Sequence, residues 1–179
     1  MNRCKWCNLD NLLYVKYHDE EWGVLNTSDA YLFEMLILES FQAGLSWECI
    51  LNKREDFRKA YDNFDINKVV EYDENKVLEL LSNEKIIRNK LKIKASVSNA
   101  IIFKDIVKEY GSFYNYLCKF TQGNILIECD KTTNYLSDQI SKDLKKRGMS
   151  FVGSTIIYSF LQAIGVINSH EYGCFLHKK

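Results

Sequence analysis

Cysteine and histidine gather near both ends of the chain. His170 and Cys174 are spaced i, i+4, so a single helical turn would present both to a shared metal ion. Cys4, Cys7 and His18 near the other end can supply the remaining ligands. Two thiolates and two imidazoles in a tetrahedral array suit zinc. Four protein ligands leave no position for an activated water, so such an ion would be structural and would tie the two ends together. Without metal, the same residues read as an exposed histidine and a buried cysteine near each terminus.

Glu39 lies within LILESFQAGLSW, on an apolar helical face. A carboxylate there bears a desolvation cost unless something uses it. It can be a functional acid, a ligand-binding acceptor, or a structural partner for a backbone or tyrosine donor. Gln42 and Trp47 follow, and Trp47 shares the Glu39 face if the helix persists past Gly44. Tyr14, Tyr17 and Trp22, at i, i+3 and i+8, form a helical stripe that reads as core or as pocket. The adjoining DEEWG is acidic, which is unusual beside a core face. In RGMSFVGSTIIYSF, Gly148 and Gly153 bracket a tight connection between two helices. Backbone N–H groups of such a turn, with the following helix N-terminus, suit a phosphate. Lys142, Lys145, Lys146 and Arg147 lie just upstream as counter-charge.

The elements that must position these residues are helical throughout. Ser28 or Asp29 starts a helix through Gly44, and Asp65 and Asp73 cap two short ones. A long helix from Leu91 to Tyr110 stops at Gly111, and Ser112 opens another through Phe120. Thr121 to Thr133 reads as loop, then a helix ends at Gly148 and a last one begins near Gly153. Two-residue alternation is missing, so no strong strand is expected and the fold class is all-α. Length of 179 residues points to a single domain over 1–179. With 46% hydrophobic residues, the chain can bury a core and is not disordered or collagen-like. Proline is absent, which excludes PxxP ligands and proline-rich linkers. Charges balance at 24 cations and 24 acids, so nucleic-acid binding must come from local patches. Glu84–Lys94 nets +4, Ser141–Arg147 nets +3, and Asp10–Glu39 nets −6. No stretch reaches the roughly 18 apolar residues of a membrane span, and no signal peptide is evident, so a cytoplasmic protein is expected. Six cysteines in such a chain favour reduced thiols over a disulfide framework.

These pieces, in this order, resemble the bacterial DNA-3-methyladenine glycosylase I family of the helix–hairpin–helix superfamily. The resemblance runs through YHDEEWG (17–23), LFEMLILES (32–40), QAGLSW (42–47), IIRNKLKI (86–93) and LKKRGMSFVGSTIIYSFLQAIGVINSH (144–170), nearly the whole chain. It implies zinc ligands at Cys4, His18, His170 and Cys174, and a base pocket of Tyr14, Tyr17, Trp22, Glu39 and Trp47. It implies a DNA-wedging turn at Gly44 and Leu45, and a phosphate-gripping hairpin from Gly148 to Gly153 beside Lys146. Cys7 and His177 depart from the family pattern and compete as ligands, while Leu13 and Leu25 stand where relatives often have proline. The implied activity is excision of 3-methyladenine from double-stranded DNA, with Glu39 orienting the base; a monomer is the simplest expectation. Competing readings are a non-enzymatic nucleic-acid-binding module, which would bind without releasing base, and a zinc hydrolase, which would need an open coordination position.

Overall fold

Helix dominates because most segments carry their own start signal and bury one apolar stripe. The computed structural model describes residues 1–177. Asn11 caps α1 (Leu12–Glu20), accepting from the N–H groups of Leu13 and Tyr14. α2 (Asp29–Gln42) starts after Ser28, whose side chain makes no capping bond. The Asp29 carboxylate serves a tertiary purpose instead, accepting from Phe113 N at 2.8 Å. Ser46 caps α3 (Trp47–Ala60), and Asp65 and Asp73 cap α4 (Ile66–Val69) and α5 (Glu74–Ser82) as expected. α6 (Lys90–Tyr110) ends at Gly111, whose φ of 82° is the left-handed cap that glycine tolerates. α7 (Phe113–Thr121) follows Ser112; α8 (Tyr135–Lys146) and α9 (Ser154–Ala163) close the helical set.

Three local expectations need correction. The helix carrying Glu39 does not persist past Gly44: α2 stops at Gln42, and Gly44 turns the chain with φ 82°. Lys92 explains the stop, because its buried ammonium donates to the carbonyls of Phe41 (2.9 Å) and Ala43 (2.6 Å). His170 and Cys174 are not on a helix but flank a turn, with Gly173 at φ 89°. Inside the expected loop, β1 (Leu126–Ile127) pairs in parallel with β2 (Ile167–Asn168), Leu126 opposite Ile167. Two residues are too few to show alternation, which is why the pattern gave no sign of them.

α2 is the centre of the molecule. Every residue from Leu32 to Phe41 is buried, and the helix packs against α3, α6, α7 and α9. Phe33, Phe41, Phe57, Phe103, Phe113 and Phe160 fill the space between these helices. Among the described residues no helix is long and apolar enough to cross a membrane. The turn after α9 rests on the segment following α1: Gly23 N donates to Gln162 O, and Asn26 N donates to Ile164 O, both at 3.0 Å. Gly165 sits in that turn at φ 75°, and a Cβ there would collide with the backbone of Val24 and Leu25. Gly165→Ala should therefore lower stability by about 3 kcal/mol or more in denaturant unfolding, combining backbone strain and overpacking.

Candidate active site

α1, α2, α3 and the segment around β2 surround a cavity of about 300 Å³. Tyr14, Tyr17, Trp22, Glu39 and Trp47 all line it, together with Trp6, Gln42 and Ser169. The Tyr17 and Trp47 rings meet at 5.2 Å, and Trp6 packs on Trp22 at 4.7 Å and on Tyr14 at 5.3 Å. Trp22 reaches the cavity from the turn beyond α1, not from the helical stripe itself. Glu39 is 2% exposed, and its Oε2 has no hydrogen-bond partner. Burial pushes its carboxyl up to about 8. Trp47 Nε1 and Ser169 Oγ are likewise buried without partners. Buried polar groups are normally satisfied, so several orphans lining one cavity mark a place built for a ligand.

Behind this cavity the two ends of the chain meet. Cys4, His18, His170 and Cys174 are all buried, and their ligand atoms lie within 4.8 Å of one another. Cys4 Sγ is 3.5 Å from His170 Nδ1, and Cys174 Sγ is 3.6 Å from both His170 Nδ1 and His18 Nε2. Tetrahedral bonds of about 2.3 Å to sulfur and 2.0–2.1 Å to nitrogen give a sulfur–nitrogen edge of roughly 3.5 Å. The donor set therefore fits a tetrahedral metal ion. The remaining ring nitrogens are oriented as such ligands require: His18 Nδ1 is 2.8 Å from Asp19 Oδ1, itself paired with Arg3, and His170 Nε2 is 3.1 Å from Trp22 O. Neither expected competitor joins the set. Cys7 Sγ points to Tyr14 O at 3.9 Å, and His177 Nδ1 is 2.6 Å from His170 O.

The connection between α8 and α9 is held from both sides. Asn99 pairs twice with the Ser150 backbone at 2.9 Å, and Ser141 Oγ donates to Val152 O at 2.7 Å. Gly148 adopts φ 101°, and Gly153 immediately precedes α9. Lys142, Lys145 and Lys146 are exposed beside this loop. Arg147 is not free counter-charge: it pairs with Asp143 and Glu109. The Gly44–Leu45 turn is exposed, with Leu45 40% accessible.

This arrangement has known counterparts. The sequence matches the methyladenine glycosylase family over residues 6–177. The chain belongs to that family. It is 44% identical to DNA-3-methyladenine glycosylase 1 of Escherichia coli K12, over 97% of this chain and 96% of that one. It is 33% identical to DNA-3-methyladenine glycosylase of Haemophilus influenzae, covering 96% of each. Among solved structures, a crystal structure of 3-methyladenine DNA glycosylase I matches with TM-score 0.94 and 42% identity, over 99% of this chain and 100% of that one. The Staphylococcus aureus enzyme, solved to explain its recognition of 3-methyladenine, matches with TM-score 0.93 and 32% identity, over 100% and 98%.

Sequence reasoning placed Gln42 beside Glu39 and Trp47 but missed Trp6, Ser169 and Glu171 among the residues that line the cavity of this family member. Trp6 sits two positions after Cys4, and Ser169 and Glu171 flank His170, so proximity to the ligands was the available signal. The raised carboxyl of Glu39 makes a sign-definite prediction. Its neutral form is the one the fold accepts, so Glu39's own contribution to stability is fullest below the ordinary carboxylate value of 4.5 and is lost as pH rises through about 8. Thermal melts should show this decline in the parent protein and a shallower one in Glu39→Gln; equal slopes would contradict it.

Proposed function

We propose that this chain flips 3-methyladenine out of alkylated double-stranded DNA and hydrolyses its glycosidic bond, starting base excision repair. The observation that carries the reading is the Glu39 carboxylate, buried in an aromatic cavity with an unpartnered oxygen. The activities in the names of its relatives support the same chemistry. A base inside the duplex cannot be reached, so it must leave the stack and enter a pocket. N3-methylation makes adenine cationic in the nucleotide and weakens the glycosidic bond. Aromatic faces from Tyr14, Tyr17, Trp22 and Trp47 favour a flat cation by about 0.5–2 kcal/mol per contact. Glu39 accepts from the exocyclic amine and faces the positive ring. Undamaged adenine is neutral and gains neither, which provides selectivity.

In the reaction the bond between C1′ and the base nitrogen breaks, its electrons neutralise the departing base, and a water oxygen joins C1′ and releases a proton. Glu39 orients the base and secondarily steadies the oxocarbenium-like sugar. No aspartate or glutamate lies between Gly153 and His170, and of the cavity's carboxylates Glu39 is the buried, unpartnered one, so it is the acid that suits this role. The exposed Leu45 on the Gly44 turn would wedge into the gap left by the base. The Gly148–Gly153 connection and the α9 N-terminus would hold a DNA phosphate, with Lys146 adding attraction. Cys4, His18, His170 and Cys174 would hold a structural zinc ion, which when bound cross-links the two ends. The chain would act as one domain and as a monomer, in the cytoplasm.

Purified protein should release 3-methyladenine from methylated DNA while 7-methylguanine stays largely in place, as chromatography of the freed bases would show. DNA binding with no released base would instead identify a binding module. Glu39→Gln should fold yet lose excision by on the order of 100-fold, the scale of removing one preorganised electrostatic group. Because a cationic base needs Glu39 ionised, kcat/KM should rise with pH and level off above about 8. Unchelated protein should contain about one zinc per chain, with four protein ligands in its X-ray absorption spectrum.

A further inference from the structure

We infer that the Ser169 hydroxyl is a further base-contacting group, donating a hydrogen bond to a ring nitrogen of the flipped 3-methyladenine. The inference deepens the reading above and rests on it. Ser169 is 7% exposed, lines the cavity, and its Oγ has no hydrogen-bond partner. Its chain neighbours are committed elsewhere. Asn168 Nδ2 donates to Gly23 O at 3.3 Å, and His170 turns into the Cys/His cluster with Nε2 at 3.1 Å from Trp22 O. The backbone between them is therefore fixed, and the hydroxyl is presented with little freedom to lose.

Donors and acceptors then match. The edge of 3-methyladenine offers one donor, the exocyclic amine, and two acceptors, N1 and N7. The cavity holds one unpartnered acceptor, Glu39 Oε2, the Trp47 indole N–H, and the Ser169 hydroxyl. Glu39 serves the amine and Trp47 offers the base its face, so the Ser169 hydroxyl is the buried unpartnered donor left for a ring nitrogen. The Tyr158 hydroxyl interacts with Ser169 and Glu128, but neither contact has hydrogen-bond geometry, so the serine proton remains available to a ligand.

All three tryptophans of the chain line this cavity, so quenching of their fluorescence reports binding of free 3-methyladenine directly. Ser169→Ala should weaken that binding about three- to tenfold, the range of one neutral hydrogen bond. Melting temperature and metal content should not fall, because no internal bond is lost. Analogues with carbon in place of N1 or of N7 locate the contact: one of them should bind the parent protein and Ser169→Ala equally. Equal binding of 3-methyladenine itself by both proteins would overturn the inference, as would a difference that persists with both analogues. A shared drop in melting temperature for Ser169→Ala and Tyr158→Phe would assign the hydroxyl to Tyr158 and also overturn it. If the parent protein neither binds nor releases 3-methyladenine, the proposed function itself fails; if it does both and Ser169→Ala is unchanged, only this inference does.

Discussion

Two glutamates on one buried helix meet opposite fates, and the site depends on that difference. Glu34 is enclosed by α3, where Arg54 and Arg58 approach it at 2.6 and 2.9 Å. Arg54 is shared with Glu21, which its Nη1 meets at 2.7 Å. Glu39, further along α2, has no ion-pair partner among the described residues and keeps an oxygen without a hydrogen bond. Burying an unpaired carboxylate is costly unless a ligand compensates. The core around α2 is aromatic and well filled, and no described protein group relieves this cost. A cationic, amine-bearing ligand can.

The cavity and the Cys/His cluster are built from the same short stretches of chain. Tyr17 precedes His18, Trp6 follows Cys4 by two positions, and Ser169 and Glu171 flank His170. Trp22 lends its ring to the cavity and its carbonyl to His170. Joining the ends of the chain therefore also sets one wall of the cavity. The turn containing Gly165 braces this wall from α9, which in turn packs on α2.

Charge shows how far composition can mislead about a surface. The basic run from Glu84 to Lys94 reads as a patch for nucleic acid, yet Lys92 is buried and caps α2, and Lys94 pairs with Glu74. Arg147 is spent on Asp143 and Glu109, whereas Lys142, Lys145 and Lys146 remain exposed beside the Gly148–Gly153 loop. Lys92 also lies 6.0 Å from the Phe151 ring, so one ammonium touches both the Gly44 turn and the α8–α9 connection. The acidic stretch at the start of the chain is similarly internal, with Asp19 on Arg3 and Glu21 on Arg54.

Local patterns along the chain were enough for the helical class, the caps at Asp65, Asp73, Gly111 and Ser112, and the residue types that gather at the site. Those features are local: a capping side chain acts within three residues, and a helix period is visible within two turns. The resemblance to a glycosylase family, carried by motifs along the chain, also brought Glu39 and its aromatic partners together as an expected base pocket. Only the tertiary structure decided that Trp6, Ser169 and Glu171 share their cavity, that Cys7 and His177 stand outside the Cys/His cluster, and that Lys92 ends α2. Those outcomes depend on contacts between segments far apart in the chain, and on which arginine reaches which glutamate. Spacing carries no record of such contacts; packing does.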